Sequence, residues 1–134
     1  MPLKVYTVTT IGAPRNHIGV FVETSPSSGS GQFFNVEGNV LTGMEYICKT
    51  HPKPEDMPEF VEKQFIGEVG DDELGRLEDV CRRVEVPGVQ LRLNGSQIDE
   101  TNPLRKCTEW TKEVVYLLLE EGVVKQGDST VPTA

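Results

Sequence analysis

Apolar and β-branched residues follow a two-residue period over the first part of the chain, which is the pattern of half-buried β-strands. Three segments have this character: LKVYTVTT (3–10), HIGVFVE (17–23) and QFFNVE (32–37). Between the second and the third lies TSPSSGSG, whose serine, glycine and proline residues favour a loop. The pattern therefore predicts three strands, the last two of which form a hairpin with a flexible tip.

The middle of the chain continues the sheet and then changes to a helical period. NVLTGMEYICKT (39–50) and KQFIGEV (63–69) are strand-like, whereas the prolines of HPKPEDMPEF (51–60) predict a surface connection without a regular element. DDELGRLEDVCRRV (71–84) has the acidic start and the basic end of an amphipathic helix. VPGVQLRLNG (86–95) predicts a strand or an extended segment.

The last predicted element is a helix over residues 102–121. Asn102 suits the cap position, Pro103 suits the first helical position, and Gly122 follows the end. At about 100° per residue, one face of this helix holds Leu104, Cys107, Thr111, Val114, Val115 and Leu118. Cys107 therefore faces the core or a cleft cut into it.

Together these elements predict an α+β fold in which a mainly antiparallel sheet packs against the C-terminal helix. With 134 residues, the chain is long enough for one hydrophobic core and too short for two. We expect a single domain over residues 1–122 and a disordered tail over residues 123–134, where the sequence becomes polar.

The composition limits the binding partners and the cellular compartment that we expect. A net charge of −8 repels nucleic acid and anionic membranes, so neither is an expected partner. The sequence has no apolar run of about 18 residues and its start lacks the features of a signal peptide, which predicts a cytoplasmic protein with reduced cysteines. Cys48 and His51 have the spacing of metal ligands but lack a second pair, so no metal or cofactor is expected.

Two polar residues of the predicted strands, His17 and Asn35, can lie close to the cysteine. Period-two alternation puts His17, Gly19 and Phe21 on one face of the second strand. A register with Gly19 opposite Asn35 brings His17 within reach of Asn35, and the missing side chain at Gly19 leaves room for the contact. A register shifted by one residue separates them. For Cys107, His17 or Asn35 taken alone, a structural role is the commoner one.

Three segments occur in an informative order over residues 17–121: HIGVFV, FFNVEG and KCTEWTKEVV. They resemble segments of the circularly permuted papain-like proteins of the NlpC-like superfamily, which include the lecithin retinol acyltransferase group. Those sequences have a histidine before an apolar strand and, much later, an Asn-Cys-Glu-His-Phe segment. The resemblance implies a permuted papain-like fold with Cys107 as nucleophile and His17 as base. Asn35 would take the third, orienting position, which asparagine fills in papain.

The implied chemistry depends on a thiolate, which an adjacent imidazolium favours by lowering the thiol pKa. The candidate substrate contacts are Phe21, on the strand face of His17, and Trp110, one turn after Cys107. Packing is nevertheless the commoner role for a tryptophan at the edge of an apolar stripe.

Two functions fit these observations. The first is a cysteine-dependent acyl-group hydrolase or transferase, which needs no cofactor and acts on an amide, ester or thioester in a small-molecule or peptide substrate. The alternative is a non-catalytic papain-like binding or regulatory module for a small metabolite or a protein partner. Lys106, in place of the asparagine before the cysteine, and the position of Cys107 more than one turn after Pro103 favour the alternative.

Overall fold

The computed structural model describes residues 2–11, 17–25, 27–39, 43–84, 86 and 107–126. Its elements are, in chain order, β1 (Leu3–Thr10), β2 (His17–Ser25), β3 (Ser30–Asn39), β4 (Gly43–His51), β5 (Phe60–Val69), α1 (Leu74–Arg83) and α2 (Cys107–Glu120). The strands form one sheet in the order β4-β3-β2-β1-β5, and all neighbouring strands are antiparallel. The α+β class, the antiparallel sheet and the C-terminal helix are therefore confirmed.

The two faces of the sheet carry separate apolar clusters because successive side chains point to opposite faces. Both helices cover one face, where the buried core includes Val5, Val20, Val22, Phe34, Val36, Leu77, Cys81, Trp110, Val114 and Leu118. On the other face, Val8, Phe21 and Phe33 form a smaller buried cluster. The ring of His51 lies against Phe21 and Phe33, with ring centroids 5.7 Å and 5.0 Å apart.

The hairpin between β2 and β3 is tighter than the sequence predicts. Ser25 and Ser30 are paired, so the strands extend into the serine-rich segment that the sequence assigns to a flexible tip. The backbone oxygen of Ser25 accepts hydrogen bonds from the N–H groups of Ser28 and Gly29, and Gly29 has a φ of 78°. A turn closed by these bonds, with glycine at positive φ, allows the longer pairing.

Two other boundaries differ from the predictions. β5 begins at Phe60, three residues before the predicted start, and the proline-rich connection before it contains a single 3-10 turn at Pro54–Asp56. Helix α1 begins at Leu74, so Asp71 and Asp72 precede the first turn, whereas the predicted arginines do occupy the last turn.

The C-terminal segment corrects one prediction. Val123 and Val124 are 2% and 1% exposed, and the backbone N–H and C=O of Lys125 bond with Glu68 of β5. A disordered tail from residue 123 is therefore wrong for residues 123–125, because two valines after Gly122 bury apolar surface and Lys125 continues the sheet edge. Residues 127–134 lie outside the described residues.

Several predictions also fall outside the described residues. These are the extended segment 86–95 except Val86, the cap at Asn102, the first helical position at Pro103, and Lys106. Within the described ranges, no helix is long and apolar enough to cross a membrane.

Candidate active site

Helix α2 carries Cys107 on its buried face. Cys107 is 4% exposed and shares this face with Trp110, Thr111, Val114 and Leu118, as the helical period predicts. The Thr111 hydroxyl donates a hydrogen bond of 3.1 Å to the backbone oxygen of Ile18. That bond fixes the first turns of the described helix against the beginning of β2, where His17 is the first residue.

The side chain of His17 interacts with the Cys107 thiol and changes how readily the thiol ionises. Burial opposes ionisation of Cys107, but hydrogen bonds with the His17 side chain and the Ile18 backbone, together with the positive charge of His17, hold the thiol pKa below its ordinary value. A buried thiol without such partners has a raised pKa. The structure therefore brings the predicted nucleophile and the predicted base together.

Asn35 lies on the other side of the imidazole. Val20 pairs with Phe34, a register whose continuation puts Gly19 opposite Asn35, and Asn35 Nδ2 is 2.5 Å from His17 Nε2. Because Nε2 is engaged by Asn35, Nδ1 is the ring nitrogen left for the thiol. Cys107, His17 and Asn35 thus stand in the order that the sequence analysis expects.

A fourth residue, Glu37, joins the site on the far side of Asn35. Asn35 Nδ2 donates a hydrogen bond of 3.2 Å to Glu37 Oε2, and Lys49 Nζ lies 3.0 Å from the same oxygen. Partial burial opposes ionisation of Glu37, but these two hydrogen bonds and the charges of Lys49 and His17 hold its pKa below the ordinary value. Glu37 was not expected at the site from the sequence, although its position two residues after Asn35 puts both on one strand face.

Gly19 is required for the contact between the strands at the site. A Cβ atom on Gly19 would lie 2.6 Å from Phe33 Cζ and 2.8 Å from Asn35 Cβ, closer than such atoms approach in proteins. The predicted role of Gly19, to leave room for a neighbouring group, therefore agrees with the packing. A side chain here would push Asn35 away from His17.

We expect Gly19→Ala to lower the free energy of unfolding by about 1–3 kcal/mol, as overpacking typically does. Gly75→Ala is the matched control, since a Cβ at Gly75 meets nothing within 4 Å and alanine favours the helix. Urea titrations followed by circular dichroism measure both. Equal stability of the two variants would contradict the tight packing of Gly19.

The two candidate substrate contacts are both buried. Trp110 is fully buried near the Tyr46 ring, with centroids 6.0 Å apart, so it has the packing role that the sequence also allows. Phe21 is fully buried in the cluster with Val8 and Phe33. Neither side chain presents surface to a substrate in this conformation.

The remaining cysteines and the second histidine lie apart from this site. Burial raises the pKa values of both Cys48 and Cys81. Cys48 and His51 are three positions apart on β4, so they point to opposite faces of the sheet, and the His51 ring bonds the Pro52 carbonyl at 2.8 Å. They therefore do not share a site. Among the described residues, no group of three or more potential ligands is placed to hold a metal ion.

Comparison with known proteins identifies a family without an assigned activity. No curated protein and no solved structure matches the chain. One family model matches residues 5–125, a range that includes every strand from Val5 onwards, both helices and the four side chains of the site. The chain therefore belongs to the family of unknown function DUF6540.

Proposed function

We propose that this protein is a cysteine-dependent acyl-group hydrolase or transferase of permuted papain-like type, in which Cys107 is the nucleophile. The observation that carries the proposal is the lowered pKa of a nearly buried thiol, which has its cause in the hydrogen bond and charge of His17. A thiol that only fills a core has no need of this partner, and a shifted pKa in a specific charge pair is typical of functional sites.

The chemistry begins with the Cys107 thiolate attacking the carbonyl carbon of the substrate, which forms a carbon–sulfur bond and an oxyanion. When the oxyanion collapses, the bond to the leaving group breaks and the acyl group stays on sulfur. Water then attacks this acyl-enzyme and gives a proton to His17 Nδ1, a step that requires the ring proton on Nε2 and the Asn35 amide turned to present Oδ1. The carbon–sulfur bond breaks, and the acid and the thiol are released. A second nucleophile in place of water makes the reaction a transfer.

The orientation of the Asn35 amide bears on which leaving groups suit the site. Nδ2 is a donor, so its contact with Nε2 fits a neutral His17 ring with the proton on Nδ1, facing the sulfur. A thioester releases a thiolate, which departs without a proton. An amide substrate releases an amine, which needs a proton from the imidazolium form of His17. The Nε2–H of the imidazolium needs an acceptor, so the Asn35 side chain would have to turn and present Oδ1. Among the described residues, Oδ1 has no hydrogen-bond partner.

A thioester or an activated ester is therefore the substrate class that we propose first, with peptide amides after it. The net charge of −8 supports a small-molecule or peptide substrate over nucleic acid or an anionic bilayer. No step of the reaction requires a cofactor.

Site-resolved alkylation tests the proposal before any substrate is known. With iodoacetamide at pH 6.5, Cys107 should react faster than Cys48, although Cys48 is exposed and Cys107 is nearly buried. The reason is that the pKa is lowered at Cys107 and raised at Cys48. Peptide mapping by mass spectrometry gives the two rates. Short-chain acyl thioesters and p-nitrophenyl esters are then assayed, with Cys107→Ser as the blank.

The burial of Cys107 supports the second candidate function, a papain-like binding or regulatory module without turnover. In such a protein the His17–Cys107 contact only holds α2 against β2. Labelling of Cys107 slower than that of Cys48, together with no hydrolysis above the Cys107→Ser blank, would favour this module over the enzyme.

A further inference from the structure

We propose that Glu37 is a positioning residue of this site, which fixes the Asn35 amide and, through it, directs the His17 ring proton towards Cys107. The inference rests on the proposed function only where it concerns reactivity, because the hydrogen-bond directions are a property of the resting protein. Its observations are the contact of Asn35 Nδ2 with both His17 and Glu37, and the ion pair of Glu37 with Lys49.

The direction of each hydrogen bond follows from the carboxylate. Ionised Glu37 accepts only, so the amide must turn Nδ2 towards it, and the same Nδ2 then faces Nε2 of His17. Nε2 must accept, which leaves the proton of the neutral ring on Nδ1. The opposite orientation would place Oδ1 3.2 Å from a carboxylate oxygen, where two acceptors repel.

The tautomer that Glu37 sets also favours ionisation of the sulfur. The four side chains Lys49, Glu37, His17 and Cys107 lie on β4, β3, β2 and α2. With its proton on Nδ1, the neutral His17 ring donates a hydrogen bond towards the Cys107 sulfur, and a hydrogen bond to the charged form lowers the pKa of the thiol. Glu45, directly opposite Glu37 on β4, carries a second negative charge near the site.

Three substitutions separate these contributions. Glu37→Gln removes the charge and can present either a donor or an acceptor to Asn35, so it no longer fixes the amide. Glu37→Asp keeps the charge on a shorter side chain that loses reach to Asn35. Glu45→Gln is the matched control, because it removes the same charge from the residue opposite Glu37 on β4, whereas Asn35 pairs with Ile47.

In the pH profile of Cys107 alkylation, we expect Glu37→Gln to displace the curve to higher pH, with labelling at pH 7 slower by about threefold to tenfold. Glu37→Asp should fall between this variant and the wild type, and Glu45→Gln should stay within about twofold of the wild type. A profile of Glu37→Gln that coincides with that of Glu45→Gln, or that lies at lower pH than the wild type, overturns the proposal.

Nitrogen-15 NMR of the imidazole rings provides a second readout that needs no reactive thiol. The chain has two histidines, and His51 serves as the internal reference. At a pH where the rings are neutral, wild-type His17 should show the tautomer with the proton on Nδ1, and Glu37→Gln should shift it towards the Nε2–H form. An Nε2–H tautomer in the wild type, or no change in the variant, overturns the proposal.

The two readouts distinguish failure of this inference from failure of the proposed function. An inert Cys107 combined with the expected tautomer change would remove the enzyme and leave the role of Glu37 intact. A fast-labelling Cys107 combined with an unchanged tautomer in Glu37→Gln would leave the enzyme and remove the role of Glu37.

Discussion

His17→Ala should slow the alkylation of Cys107 at pH 6.5 by at least about tenfold, because each unit of thiol pKa changes the thiolate fraction tenfold below the pKa. The substitution removes both the hydrogen bond and the positive charge that lower the pKa of Cys107, while burial, which raises the pKa, remains. Acyl transfer should fall further, by roughly 10²–10⁴-fold, since the general base is lost with the ring.

The matched control for His17→Ala is His51→Ala, which removes the second histidine from the end of β4. His51 is buried against Phe21 and Phe33, so its loss should lower stability without changing the thiol. Peptide mapping after a short pulse of iodoacetamide, on samples shown to be folded by circular dichroism, gives the rates. Equal labelling rates in wild type and His17→Ala would remove the physical basis of the nucleophile.

Trp110→Ala should have the largest effect on stability, with a loss of about 3–5 kcal/mol in the free energy of unfolding. Trp110 is fully buried among the residues that join α2 to the sheet, near the ring of Tyr46. Removing it leaves a cavity at the helix that carries Cys107. The variant should therefore also lose the difference in labelling rate between Cys107 and Cys48 when the helix is no longer held in place.

Two further variants make the Trp110 prediction specific. Trp110→Phe should cost clearly less, because the indole Nε1 has no hydrogen-bond partner among the described residues and only part of the ring volume is lost. Tyr116→Ala, on the same helix at 63% exposure, should stay within about 0.5 kcal/mol of the wild type. Chemical denaturation measures all three, and similar losses for Trp110→Ala and Tyr116→Ala would contradict the packing.

Much of the site could be predicted because strand and helix periods determine which side chains share a face. Side-chain alternation along the strands and the missing side chain at Gly19 predict a contact between His17 and Asn35 if Gly19 lies opposite Asn35. The pairing of Val20 with Phe34 continues into this register. The helical period likewise predicts the burial of Cys107. The periods do not determine which strands are neighbours, so the ion pair of Glu37 with Lys49 on β4 could not be expected from them.

The failures have local physical causes. Serine and glycine residues disfavour packing, yet backbone hydrogen bonds within the turn extend β2 and β3 into the serine-rich segment. A polar C-terminal composition predicts disorder, yet Val123 and Val124 supply enough apolar surface to order the chain as far as Lys125. Aromatic residues near a site suggest a substrate platform, yet Phe21 and Trp110 are used to fill the two apolar clusters.

The distance along the chain between His17, at the start of β2, and Cys107, at the start of the described part of α2, has a consequence for biosynthesis. A ribosome synthesises β2 early and α2 late, so through most of translation the emerging polypeptide has no thiol beside His17. Contacts between such distant segments form slowly during folding. Cys107 should therefore behave as an ordinary thiol in nascent or partly unfolded chains and gain its reactivity only when the last helix docks. Rapid labelling at low pH would then report that folding is complete.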